Sequence, residues 1–147
     1  MFMTVCVHSS VYIKQLFEPY PLGSILRFNR GSYDHYAIYA GLGSVIHYSG
    51  EADMKTQYDA KVRRESLSAV AAGSPVTVAN IHDEETQPFG RCDIVRRAQS
   101  RIGEYKYSIL SNNCEHFVNW CRYGKHFSSQ VNDKLRSATR YVLRTDL

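Results

Sequence analysis

The chain has 147 residues, of which 44% are hydrophobic and 22% charged, and a formal net charge of +4. This length favours one domain with a core of ordinary size, and we expect a single domain over residues 1–147. No apolar run reaches about 18 residues, which argues against a transmembrane helix. The N-terminus has neither the leading basic residues nor the cleavage site of a signal peptide.

Short apolar runs between turn signals predict strands in the first half of the chain. Residues 24–28 form one such run. Residues 36–40 and 44–48 are rich in β-branched and aromatic side chains and flank Gly41-Leu42-Gly43, a pattern typical of a β-hairpin. The polar stretch 50–64 predicts a loop. Residues 65–72 predict a short helix or turn, and residues 76–81 a further strand.

Three helices are predicted in the second half. The first spans 93–102, with Asp93 as N-cap and Gly103 at its end, and the second spans 114–123 and ends at Gly124. The third, over 129–144, is basic and amphipathic. Strands followed by helices predict an α+β fold in which an antiparallel sheet precedes the helices.

The positive charge is concentrated at the C-terminus. The charges of residues 1–120 cancel, and the excess lies in residues 121–147. This region suits an anionic partner such as a membrane surface or RNA, while a solvated helix face is the simpler alternative. The basic residues are Arg122, Lys125, Lys134, Arg136, Arg140 and Arg144.

Four cysteines stand at positions 6, 92, 114 and 121, a spacing that matches no zinc signature. Cys114 and Cys121 are two helical turns apart, beyond the reach of a disulfide. We therefore expect reduced thiols, no metal and a cytoplasmic location.

Cys114 is predicted to begin a helix, where backbone N–H groups and the helix dipole favour a thiolate. A thiolate is a nucleophile for carbonyl carbon, and the same N–H groups could hold the resulting oxyanion. The alternative is a small buried core residue, the commoner role of a free cysteine.

Two histidines add a base to this candidate nucleophile. His35 and His47 lie on the two strands of the predicted hairpin, and a loop of odd length would place them on one face, roughly 5–8 Å apart at Cβ. One could then take the thiol proton while the other orients it. Asp34 is a poor candidate for an acid partner because it faces the other side of the strand. His116 is expected to pack or form hydrogen bonds.

The segment from Asp34 to Gly41 followed by Val45-Ile46-His47 resembles the H-box of the lecithin:retinol acyltransferase family. Asn113-Cys114-Glu115-His116-Phe117 resembles its NC box, and Arg122-Tyr123-Gly124 is similar to the cellular phospholipase/acyltransferase branch. The resemblance covers residues 22–131. It implies a permuted papain-like (NlpC-type) domain, in which the histidine strands precede the cysteine helix.

The resemblance implies roles for three residues. Cys114 would form an acyl-thioester, His35 would be its general base, and His47 would orient His35. The implied substrates are glycerophospholipids at a membrane surface, with water or a lipid amine or alcohol as acceptor. No cofactor or metal is implied.

Two departures from the family point to an alternative. Tyr36 stands where the family usually has Trp, and the end from Arg140 to Leu147 is not the hydrophobic anchor of cellular members. Either such an anchor has been removed or the protein never had one, and the second possibility points to another branch. The picornavirus 2A proteins of the H-box/NC type resemble the same domain. They imply a non-protease role in viral replication in the host cytoplasm, through contacts with host proteins, RNA or membranes.

Overall fold

A computed structural model of the chain describes residues 18–49, 60–105 and 114–125. These residues form an α+β fold in which an antiparallel sheet is followed by helices, as predicted. The predicted helix over 129–144 and the basic residues beyond Lys125 lie outside the described residues. None of the helices in the described ranges is long and apolar enough to cross a membrane.

The sheet has five antiparallel strands in the order β4-β3-β2-β1-β5. Its strands are β1 (Ile25–Asn29), β2 (Asp34–Gly41), β3 (Ser44–Ser49), β4 (Lys61–Ser66) and β5 (Val76–Val78). The helices described are α1 (Leu67–Ala71), α2 (Arg91–Ser100) and α3 (Cys114–Tyr123).

The β2–β3 hairpin forms where it was predicted. Leu42 and Gly43 both adopt positive φ, at 52° and 66°, the combination required by a type I′ turn. The strand register shifts between Tyr39 and Gly41, which accommodates one extra residue before the turn. The hairpin is the central part of the sheet and carries both candidate histidines.

Three predicted boundaries are wrong. Lys61–Ser66 is an edge strand, where the sequence predicts the end of a loop and the start of a short helix or turn. It has a single buried apolar side chain, Val62, so the alternation that marks a strand is missing from its sequence. The strand predicted over 76–81 ends at Val78. The N-cap of α2 is Gly90, whereas Asp93 lies in the first turn and pairs with Arg96 at 2.9 Å.

Both faces of the sheet are covered. On one face, α2 and α3 pack on side chains that include Tyr36, Ile38 and Ile46. On the other face, α1 packs over Phe28, Ala37 and Tyr39 and their neighbours. We call the first of these the helix face and the second the histidine face. Along β2 and β3, His35 and His47 alternate with the residues of the first cluster, so their side chains lie on the second face.

A partly buried ion pair holds the C-terminal end of α3. Arg122 donates to both carboxylate oxygens of Asp83, at 2.9 and 2.7 Å, and to the carbonyl oxygen of Gly23 at 3.0 Å. The Tyr123 hydroxyl donates to the same carboxylate at 2.7 Å. Asp83 lies in the acidic loop after β5, residues 82–87, so this contact connects that loop to the helix that begins with Cys114.

Candidate active site

His35 and His47 are in direct contact on the histidine face. His47 is paired with Ala37, and His35 lies two residues earlier on β2, so the two histidines are diagonal neighbours on one face. His35 Nε2 is 2.8 Å from His47 Nδ1, and the rings are edge to face with centroids 5.0 Å apart. The prediction that the hairpin brings these side chains together is confirmed.

A carboxylate that the sequence reasoning missed completes this contact chain. The Nε2 atom of His47 lies 2.5 Å from Oε2 of Glu65, near the end of β4. Glu65 pairs with Val45, two residues before His47 on β3, and therefore lies on the same face. The signal is hidden because the sequence predicts a loop up to residue 64 and a short helix or turn from residue 65, and without the strand Glu65 has no register.

The wall around the histidines comes from β1 and from α1. The ring of His35 lies 5.9 Å from that of Phe28, between centroids. Arg30 donates to the carbonyl oxygens of Val70 and Ala71 at the end of α1 and to Ser74 Oγ. The guanidinium thereby satisfies carbonyls that a helix end leaves unpaired, and it adds a positive charge close to the histidines.

Burial favours the neutral form of both imidazoles. It lowers the pKa of His35 to about 3, with further lowering by His47 and Arg30. Burial also lowers the pKa of His47, while the hydrogen bond and charge of Glu65 act in the opposite direction. A neutral imidazole has a lone pair on one nitrogen, so the pair is in the protonation state that a general base requires.

Cys114 is the first residue of α3 and a partly buried free thiol. Backbone N–H groups of Tyr36, Glu115 and Cys114 itself form hydrogen bonds that lower the pKa of the thiol, but burial outweighs them and raises it to about 11. The N–H groups at the helix N-terminus favour the thiolate as predicted, but they do not outweigh burial. The predicted N–H groups are present, and the larger desolvation penalty decides the charge.

The thiol reaches β2 at a gap in the sheet. The β2–β3 pairing ends at Ala37 and His47. Tyr39 donates its N–H to Ser24 on the β1 side, so the N–H of Tyr36, an odd number of residues away, points to the β3 side. With β3 no longer paired there, the Cys114 thiol accepts this N–H.

This geometry brings the three predicted residues to one region without joining them all. The two histidine rings touch, and the thiol binds the peptide N–H immediately after His35. In the described ranges, no hydrogen bond joins Cys114 to either imidazole ring. His116 is buried within α3, consistent with the packing role expected of it.

The remaining described cysteines lie outside this region. Cys121 is buried on α3 and is a free thiol. Cys92 is disulfide-bonded, so the expectation of reduced thiols is wrong for this residue. Spacing along the chain carries no information on which cysteines meet in the fold. No group of three or more possible metal ligands occurs among the residues that the structure describes.

A helix-terminal cysteine bonded to the peptide that follows a histidine, with a second histidine in contact with the first, is a set of groups found in thiol nucleophile sites. The family model for lecithin retinol acyltransferase matches residues 18–127. The chain belongs to this family. The family prediction is therefore confirmed.

Relatives within the family are similar over most of their length. The chain is 41% identical over 128 residues to phospholipase A and acyltransferase 2 of Homo sapiens, covering 79% of each protein. It is 39% identical over 131 residues to phospholipase A and acyltransferase 3 of Mus musculus, covering 82% of this chain and 80% of that one. Phospholipase A and acyltransferase 4 of Homo sapiens is 39% identical over 125 residues, with 78% and 76% covered. These relatives support the cellular branch, and they lend no support to the viral alternative.

Proposed function

We propose that this protein is a thiol-dependent phospholipase A and acyltransferase that acts on glycerophospholipids through an acyl-cysteine intermediate. The observation that carries the proposal is that Cys114, the first residue of α3, accepts the backbone N–H of Tyr36, the residue after His35, whose ring is hydrogen-bonded to His47. The names of the relatives agree with both activities. We further propose that the fold is a permuted papain-like (NlpC-type) domain, since the histidine strands precede the cysteine helix.

The chemistry begins with a neutral thiol and a neutral base. His35 accepts the proton of the Cys114 thiol as the sulfur attacks the ester carbonyl carbon, which forms a C–S bond and places a negative charge on the carbonyl oxygen. Backbone N–H groups at the start of α3 and on Tyr36 are suited to stabilise that charge. The protonated imidazole then gives its proton to the leaving alkoxide of the lysophospholipid, and an acyl-thioester remains.

The second half of the reaction releases the acyl group. His35 removes a proton from water, or from the amine or alcohol of a second lipid, as that group attacks the thioester. The C–S bond breaks and the thiol is restored with the same proton. Water gives a free fatty acid, the phospholipase outcome, and a lipid acceptor gives the acyltransferase outcome. The choice depends on which acceptor reaches the thioester.

The substrate class also determines where the protein works. We propose peripheral action at a cytoplasmic membrane surface, because the ester of a phospholipid lies at the lipid–water interface. Contacts with RNA or host proteins, which belong to the viral alternative, have no supporting observation among the described residues.

The test is intact-protein mass spectrometry after incubation with phosphatidylcholine micelles. We expect a fatty-acyl mass increment on the wild type, mapped to Cys114 by peptide analysis, and none on Cys114→Ser. Cys121→Ala is the matched control, since it removes a free thiol from the same helix at a buried position and should still become acylated. Absence of both the increment and released fatty acid from folded wild type would refute the proposal.

A further inference from the structure

Glu65 forms the outer end of a continuous chain of contacts that starts at the base. His35 contacts His47 through Nε2, and His47 contacts Glu65 through its own Nε2 at 2.5 Å. The His47 side chain is 7% exposed and that of Glu65 is 41% exposed. The carboxylate is therefore held at the solvent edge of the site, while the histidine it contacts is buried.

The direction of each hydrogen bond in this chain follows from the carboxylate. An ionised carboxylate only accepts, so His47 must carry its proton on Nε2, and its Nδ1 is then the acceptor in the neutral ring. His35 must in turn donate from Nε2 to His47 Nδ1. The lone pair of His35 is left on Nδ1.

We propose that Glu65 is a positioning residue, which acts through His47 to make Nδ1 of His35 the general base for Cys114. The inference rests on the proposed function, because it assigns a role within that reaction. Glu65 touches neither the thiol nor the base. Without its charge, His47 could carry its proton on Nδ1. Two N–H groups would then face each other, unless His35 carried its own proton on Nδ1 and lost the lone pair that accepts the thiol proton.

The carboxylate also compensates the charge that appears during the reaction. When His35 takes the thiol proton, a positive charge develops in a buried site that already faces Arg30 from the β1–β2 turn and Arg63 from β4. Those guanidinium groups oppose an imidazolium on His35 or His47. Glu65 is the negative group in contact with the pair, and its hydrogen bond and charge raise the pKa of His47.

Proton transfer from Cys114 through His35 to His47 needs no further reactant. As Nδ1 of His35 gains the thiol proton, its Nε2–H remains donated to His47, and it can shift toward His47 Nδ1. The net positive charge then lies on the ring in contact with the carboxylate. The reverse movement returns the proton to the leaving group, so Glu65 itself is never protonated in the cycle.

The test compares Glu65→Gln with Glu84→Gln, a matched removal of one exposed glutamate from the acidic loop. We expect Glu65→Gln to lower kcat for fatty acid release about 10- to 100-fold, the range expected for losing one charge-assisted hydrogen bond. Glu84→Gln should have the wild-type rate. Glu65→Asp, which keeps the charge on a shorter side chain, should recover part of the loss.

Two readouts separate positioning from a merely structural role. Loss of the carboxylate lowers the pKa of the histidine pair, so the acidic limb of kcat/KM should move to lower pH in Glu65→Gln. Nitrogen-15 NMR of the histidine rings should find both His35 and His47 protonated on Nε2 in the wild type at pH 7. Neither the tautomers nor the acidic limb would change if Glu65 only stabilised the fold.

The outcomes distinguish the two proposals. If the wild type forms no acyl-enzyme and releases no fatty acid, the proposed function fails. If the wild type is active but Glu65→Gln retains its rate and acidic limb, this inference alone is overturned. A wild-type His47 protonated on Nδ1 would also overturn it, whatever the activity of the variants.

Discussion

The thiol of Cys114 accepts the backbone N–H of Tyr36, the residue that follows His35. This N–H would bind β3 if the β2–β3 pairing continued past Ala37 and His47. The end of that pairing therefore opens the place where the helix-borne sulfur meets the sheet. It also brings the sulfur to the peptide that carries the base, although the side chains of His35 and Tyr36 project from opposite faces.

Alkylation should reveal a neutral thiol in the resting protein. Burial raises the pKa of Cys114 to about 11 and lowers that of His35 to about 3. The proton therefore stays on the sulfur, and the imidazole stays neutral, before substrate binds. We expect the rate of iodoacetamide labelling at Cys114 to rise continuously between pH 6 and 10. Peptide mass spectrometry measures it, and a plateau already reached near pH 6 would demonstrate a thiolate–imidazolium pair instead.

The histidines should differ in their contribution to the rate. His35→Ala removes the base and should lower kcat by about 100- to 10,000-fold, the usual contribution of general base catalysis. His47→Ala keeps the base and removes only its orientation, so its loss should be smaller. Steady-state fatty acid release measures both, with circular dichroism to verify the fold. A greater loss in His47→Ala than in His35→Ala would mean that the roles are reversed.

The parts of the site that could be predicted are those with local signals. The hairpin follows from Gly41-Leu42-Gly43 between β-branched runs, and α3 begins at Cys114 and ends before Gly124 as its pattern indicates. Whether His35 and His47 share a face depended on the length of the turn. The extra residue at the Tyr39–Gly41 register shift places the two side chains on the same face, where they touch.

The parts that could not be predicted depend on tertiary burial. Glu65 joins the histidines only because Lys61–Ser66 is a strand, and that strand is held by backbone pairing with β3 and not by an apolar pattern. The pKa of Cys114 depends on a balance between three N–H groups and desolvation, and only the N–H groups are visible in the sequence.

The Asp83–Arg122 pair should make stability depend on pH at the acidic end. Asp83→Asn leaves the nearly buried Arg122 guanidinium without its countercharge. We expect the free energy of unfolding to fall by about 2 kcal/mol at pH 7. This is less than for a fully buried pair, because Asp83 is 37% exposed. Arg122 lowers the pKa of Asp83. The stabilisation is therefore complete above the unfolded-state pKa of about 3.9 and disappears as the pH falls through the lower folded value.

Urea unfolding of the wild type and Asp83→Asn across pH 7 to 2 measures this effect. The two stability curves should converge at the acidic end. Glu84→Gln is the control, since it removes a neighbouring charge from the same loop and should change stability by less than about 0.5 kcal/mol. A difference that stays constant down to pH 2 would contradict the assignment to the Asp83 carboxylate.

Arg97 should stabilise the contact between α2 and α3 more than its charge suggests. Its guanidinium lies 4.0 Å from the ring centroid of Trp120 and 4.5 Å from that of Phe89, and its Nη2 atom donates to the Trp120 carbonyl oxygen at 2.9 Å. A lysine keeps the charge but loses the planar stacking between two rings and the second donor. We therefore expect Arg97→Lys to lower the free energy of unfolding by about 1–2 kcal/mol.

Arg96→Lys is the matched control on the same helix, because Arg96 is 67% exposed and pairs only across one turn with Asp93. In urea unfolding its stability should stay within about 0.5 kcal/mol of wild type. Equal effects of the two substitutions would show that the stacked guanidinium contributes no more than an ordinary surface charge.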